Sequence, residues 1–94
     1  MLIEIIWSQV ALTRLQQIRA FVAQEKPAAA ERLATRIVAA VEVLRVFPHM
    51  GRAGMVPGTR ELVIGRTPYV VVYRAQAKIV TILTIWHGAQ QRNP

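Results

Sequence analysis

The chain contains no cysteine, which excludes a disulfide framework, a thiolate metal site and a cysteine nucleophile together. Aspartate is also missing, and the two histidines, His49 and His87, stand far apart, so no metal centre is expected. No glycine-rich phosphate loop of the P-loop or dinucleotide-binding kind occurs, and no small-molecule cofactor is expected. No apolar run approaches the roughly 20 residues that span a bilayer, and Glu4 stands where a secretory leader would carry basic residues. The expectation is a cytoplasmic protein without membrane attachment. Acidic residues are scarce: five against twelve basic ones, a net charge of +7.

What is present suits a small globular body. Ninety-four residues with 53% apolar and 18% charged side chains predict one domain over residues 1–94, with some apolar surface left for a partner to cover. Ten of the twelve cations are arginine, the side chain suited to bidentate contact with phosphate or carboxylate, so the partner is expected to be anionic, either nucleic acid or an acidic protein. Residues 1–50 carry six basic and four acidic groups, net +2; residues 51–94 carry Arg52, Arg60, Arg66, Arg74, Lys78 and Arg92 against Glu61 alone, net +5. The functional charge is therefore expected in the second half, against the plainer reading that the charge only confers solubility.

The order of elements can be read from periodicity. Leu2 to Ile6 reads as a strand. Ser8 is placed to cap a helix over about residues 9–25, with Trp7 and Leu12 at staple positions and Leu12, Leu15, Ile18 and Val22 as its apolar stripe. Pro27 suits the first turn of a second helix, whose stripe is Leu33, Ile37, Val41 and Leu44 and which ends near Phe47 before Pro48 and Gly51. Residues 49–59 read as a loop, with a type II turn at Pro57-Gly58. Three strands follow at Arg60–Ile64, Tyr69–Arg74 and Lys78–Trp86, as an antiparallel meander. The fold class is α+β, in the order β-α-α-β-β-β: an N-terminal strand and an antiparallel helical hairpin packed on a twisted antiparallel sheet. Strict alternation puts Tyr69, Val71 and Tyr73 on one sheet face. It also sets Ile79, Thr81, Leu83 and Ile85 opposite Val80, Ile82, Thr84 and Trp86, so both faces are largely apolar.

The five glutamates are scattered and form no acid/base pair. The residues left to carry chemistry or binding are Arg52, Arg60, Glu61, Arg66, Tyr69, Tyr73, Arg74, His87 and Arg92. Metal-free RNA cleavage needs a base, an acid and a fixed cation, roles open to His, Tyr and Arg. Each candidate also has a structural reading: His87 as a strand-end residue, Tyr69 and Tyr73 as core aromatics, and Arg60 as a local partner of Glu61.

The run Val56-Pro57-Gly58-Thr59-Arg60-Glu61-Leu62-Val63, then Thr67-Pro68 into Tyr69-Val70-Val71-Val72-Tyr73-Arg74, then Trp86-His87-Gly88-Ala89-Gln90-Gln91-Arg92 resembles the C-terminal half of RelE/ParE toxins. Pro27-Ala28-Ala29-Ala30, the Leu33 to Leu44 stripe and the exit Phe47-Pro48-His49-Met50-Gly51-Arg52 extend the resemblance over nearly the whole chain. It implies the toxin of a type II toxin-antitoxin, or plasmid stabilisation, system. A cognate antitoxin protein would neutralise it, and the target would be DNA gyrase in ParE-like members or ribosome-bound mRNA in RelE-like and YoeB-like ones. The RNA-cleaving branches commonly have an arginine where this chain has Val70. They also have a tyrosine after the C-terminal histidine, where Gly88 follows His87. The Arg60-Glu61 pair and basic ending are closer to ParE. The reading is therefore binding to a gyrase-type target, with Arg52, Arg60, Arg66, Tyr69, Tyr73, Arg74 and Arg92 as target- or antitoxin-binding residues. The alternative is a metal-free mRNA interferase with His87 and Arg60 as catalysts.

Overall fold

In the computed structural model, which describes residues 3–88, the chain runs β1 (Glu4–Trp7), α1 (Gln9–Ala23), α2 (Pro27–Glu42), β2 (Arg52–Ala53), β3 (Arg60–Val63), β4 (Tyr69–Gln76) and β5 (Ile79–His87). The helical hairpin packs on one face of a five-stranded sheet of order β1-β5-β4-β3-β2. The α+β class and the expected order of elements hold. The sheet is mixed, however: β2 to β5 pair antiparallel and β1 pairs parallel with β5. The two helices and three strands that intervene between β1 and β5 permit the parallel arrangement, which a tight hairpin cannot.

Local chemistry sets the boundaries. Ser8 caps α1 with its hydroxyl, which accepts from the Ala11 amide at 3.0 Å and donates to the Leu83 carbonyl at 3.0 Å. Pro27 opens α2. The regular turns of α2 end at Glu42, and a 3-10 turn over Val43–Arg45 tightens the exit. Ala30, Ile37, Val41 and Leu44 are buried, and the last three share one core with Val71, Tyr73, Val80, Ile82 and Ile85 of the sheet. Burial of each such aliphatic side chain contributes about 1.5–3 kcal/mol. Leu12 departs from the expected stripe: it is exposed, on an outer groove with Val38.

Two further features differ from the expectation. The segment 49–59 is not wholly loop, because Arg52 and Ala53 pair with Glu61 and Arg60. Its turn at Pro57-Gly58 has Gly58 at φ 85° and a Thr59 amide bonded to the Val56 carbonyl, as a type II turn requires. Second, β5 is bulged. Val72 lies opposite Thr84 but Tyr73 lies opposite Ile82, which leaves Leu83 as the extra residue. The bulge reverses the alternation, so Val80 and Ile82 before it and Ile85 after it all enter the same core. The expected placement of Ile85 opposite Val80 and Ile82 is corrected accordingly. Beyond the bulge, the register sets His87 opposite Tyr69, and their rings meet.

Candidate functional site

Strand β4 has two ends, and the candidate residues divide between them. At the Tyr73 end, Tyr73 is fully buried; its hydroxyl donates to the Pro48 carbonyl at 2.8 Å and accepts from the Gly51 amide at 2.8 Å. Burial raises the Tyr73 pKa, partly offset by the Gly51 amide and the nearby Arg60 charge. Tyr73 therefore presents no surface here and fixes the exit of the helical hairpin. The expected Arg60-Glu61 pair does not form, because neighbours on a strand point to opposite faces. Arg60 donates instead to the carbonyls of Gly51 at 2.8 Å and His49 at 3.2 Å. Glu61, buried, is paired by Arg52, its partner across the strands, at 3.0 Å. Arg74, half-buried, lies on the face away from the helices, with its guanidinium close to Gly58.

The Tyr69 end is different in kind. Tyr69, 7% exposed, meets the His87 ring edge to face at 5.3 Å between centroids. Burial raises the Tyr69 pKa, so its phenol stays protonated at neutral pH. Together with Arg14, Gln17, Ile18, Phe21 and Ile85, these two rings line a cleft of about 320 Å³, whose mouth carries Phe21 at 69% exposure. On its other side Tyr69 borders a second groove of about 430 Å³, lined by Val22, Leu33, Pro68, Arg32, Arg36 and Arg66 among others. Gly88 is explained by this corner: its amide donates to the Pro68 carbonyl, and a Cβ there would come within 2.9 Å of that oxygen. A tyrosine after His87 would have to push the β3–β4 turn aside.

Of the residues anticipated from the sequence, Arg66, Tyr69 and His87 thus gather at one end, whereas Arg52, Arg60, Tyr73 and Arg74 lie towards the other. Arg92 lies outside the described residues. His87 and Arg60 stand opposite Tyr69 and Tyr73, four residues apart on β4, or about 13 Å at roughly 3.3 Å per residue. The cation beside His87 is Arg14 instead. Arg14, Gln17 and Phe21 were not anticipated, nor were Arg32 and Arg36. The spacing of three and four along α1 marks 14, 17, 18 and 21 as one helical stripe, and this signal was available.

Among the described residues no group of three or more His, Cys, Asp or Glu is gathered to hold a metal, and no helix is long and apolar enough to cross a membrane. The architecture is that of a small helical hairpin on a mixed sheet with arginine-lined clefts at one sheet end. Comparison with known proteins identifies it further. The family model described as the ParE toxin of type II toxin-antitoxin system, parDE, matches residues 5–92, and the chain belongs to that family. It is 42% identical over 85 residues to a Sinorhizobium fredii protein named as toxin Y4kP, covering 90% of this chain and 88% of that protein. It is 36% identical over 87 residues to toxin RelE2 of Caulobacter vibrioides, covering 93% and 97%. Among solved structures, it is similar to a chain of the chromosomal ParDE system of P. aeruginosa, with a TM-score of 0.81 and 28% identity over 88% of this chain and 92% of that one. A chain of the E. coli RelBE toxin-antitoxin complex shares the fold, with a TM-score of 0.54 and 16% identity over 95% and 99%.

Proposed function

We propose that this toxin inhibits bacterial growth by binding its target, of the DNA gyrase type, and that a cognate antitoxin neutralises it in the cytoplasm. The antitoxin partner is supported by the structural neighbours, which come from toxin-antitoxin systems. The observation that favours binding over cleavage is the separation of His87 from Arg60, with the Arg60 guanidinium held on two backbone carbonyls. A nuclease that relied on Arg60 to bind the phosphate at His87 would forgo about 3–4 kcal/mol of transition-state stabilisation. One observation supports a second reading: Arg14, Gln17 and Tyr69 share a cleft with His87, and this set has the residue types for metal-free RNA cleavage.

The test is induced expression in a bacterial host without the antitoxin, following DNA and protein synthesis by pulse labelling. The expected result is that DNA synthesis falls first. Prompt arrest of protein synthesis with cleaved ribosome-bound mRNA, lost in Arg14→Gln and His87→Ala, would establish the interferase instead.

A further inference from the structure

The cleft at the Tyr69–His87 end holds two donors that the fold does not use. Arg14 is half-buried, yet among the described residues it makes no ion pair or hydrogen bond, whereas Arg19 on the same helix holds Glu31 at 2.8 Å. Tyr69 is 7% exposed, and its hydroxyl likewise makes no hydrogen bond with another described residue. Its phenol stays protonated, so a nearly enclosed donor stands ready for an acceptor, and leaving it unmet is costly. Among the described residues no wholly enclosed side-chain nitrogen or oxygen lacks a partner, so this hydroxyl opens onto space that Tyr69 lines. The rest of the lining is apolar or neutral, with Ile18 and Ile85 inside, Phe21 at the mouth and no acidic residue. A volume of about 320 Å³ is in the range of small-molecule sites. Arg14 and Phe21 lie on one stripe of α1, about 10 Å apart along its axis, so an occupant can be charged at one end and apolar at the other. Arg14 is the only Lys or Arg that lines the cleft, and its planar fork matches the two oxygens of one carboxylate. A phosphate monoester, with nearly two charges at neutral pH, would be left half-neutralised there.

We infer that this cleft binds a small aryl carboxylic acid, its carboxylate held by Arg14 and the Tyr69 hydroxyl and its ring lying among Ile18, Ile85 and Phe21. One such molecule meets both donors and covers the exposed Phe21 ring. The inference does not rest on which target the toxin has, because the free protein binds the acid without gyrase or ribosomes present.

Titration calorimetry and amide chemical shifts of the full chain test it with three probes: hydrocinnamate, its uncharged analogue hydrocinnamamide, and adenylate. The expected outcome is that hydrocinnamate binds most tightly and shifts the amides of residues 14–21, 69 and 85–87. Arg14→Gln and Tyr69→Phe each weaken it by about tenfold, and Phe21→Ala by about threefold or more. Arg19→Gln, which removes the same charge from the same helix, leaves binding unchanged. Circular dichroism melting checks that all four variants fold; Tyr69→Phe keeps the ring and loses only a hydroxyl that the fold does not bond. Equal binding of the acid and the amide would overturn the role of Arg14, and an unaffected Tyr69→Phe would overturn the pairing of the two donors. Tighter binding of adenylate, lost in Arg14→Gln, would give the cleft to nucleotides instead. Absence of hydrocinnamate binding at millimolar concentration would overturn the inference as a whole.

Discussion

Replacing Tyr73 by phenylalanine probes the Tyr73 end of β4 apart from the end that lines the two clefts. The ring would remain in the core, and only the hydroxyl that ties Gly51 and Pro48 to the sheet would go, both bonds being 2.8 Å. Gly51 is buried, so its amide would lose its partner without access to water. An unsatisfied buried donor costs about 1–3 kcal/mol, and the lost bond to the partly exposed Pro48 carbonyl adds about 1 kcal/mol. Water cannot easily enter to replace the hydroxyl, because even a Cβ on Gly51 would stand 2.8 Å from the Tyr73 ring. The expected loss is therefore about 2–4 kcal/mol, a sizeable part of the roughly 5–15 kcal/mol that holds a small domain together. In urea, the midpoint falls with unchanged slope; in thermal melts, Tm drops by roughly 10–30 °C. Growth inhibition measured well below that Tm is retained, since Tyr73 presents no surface to a target. A stability change under about 0.5 kcal/mol would refute the hydrogen-bond argument. A stable variant without toxicity would show that the Tyr73 end acts in function after all.

Three further outcomes are expected. Ser8→Ala removes the α1 cap and the bond to the Leu83 bulge together, and lowers stability by about 1–2 kcal/mol in chemical denaturation. Because burial raises the Tyr69 and Tyr73 pKa values, the unfolded chain releases phenolic protons before the folded one does. Stability should thus hold below the ordinary tyrosine pKa of about 10 and fall as pH rises above it, less steeply in Tyr73→Phe, as urea midpoints across alkaline pH will show. His87→Ala is expected to keep toxicity without altering ribosome-bound mRNA, read by growth curves and primer extension; loss of toxicity together with loss of mRNA cleavage contradicts the binding mechanism.

Periodicity made both helices and the three C-terminal strands legible, because each carries a stripe or alternation that local sequence displays. Pairing partners are less visible. β1 alone does not show that it will lie parallel to β5, and the two residues of β2 are too few to display a period. The bulge at Leu83 was hidden for a physical reason: its residues are ordinary strand formers, and the group that fastens it is the Ser8 hydroxyl, 75 residues away in the chain. Counting in twos past that point placed Ile85 on the wrong face. The same bulge positions His87 against Tyr69, so the core misreading and the incomplete view of the cleft have one origin.

Charge is another property for which a count along the chain and the folded arrangement differ. The excess of +5 in residues 51–94 suggested that the functional arginines lie there. Yet the arginines bordering the two Tyr69 clefts are Arg14, Arg32, Arg36 and Arg66, three of them from the half with the smaller excess. Net charge by segment subtracts every glutamate from every arginine, but a carboxylate neutralises only the cation it touches. Glu31 and Glu42 hold Arg19 and Arg45, which leaves Arg32 and Arg36 available one helical turn away. In the second half, Arg52 is held by Glu61 and Arg60 by carbonyls. Among the described residues, four of the arginines that make no ion pair, Arg14, Arg32, Arg36 and Arg66, border the clefts at Tyr69, where the hairpin, the β3–β4 turn and the end of β5 converge, and Arg74 stands apart from them.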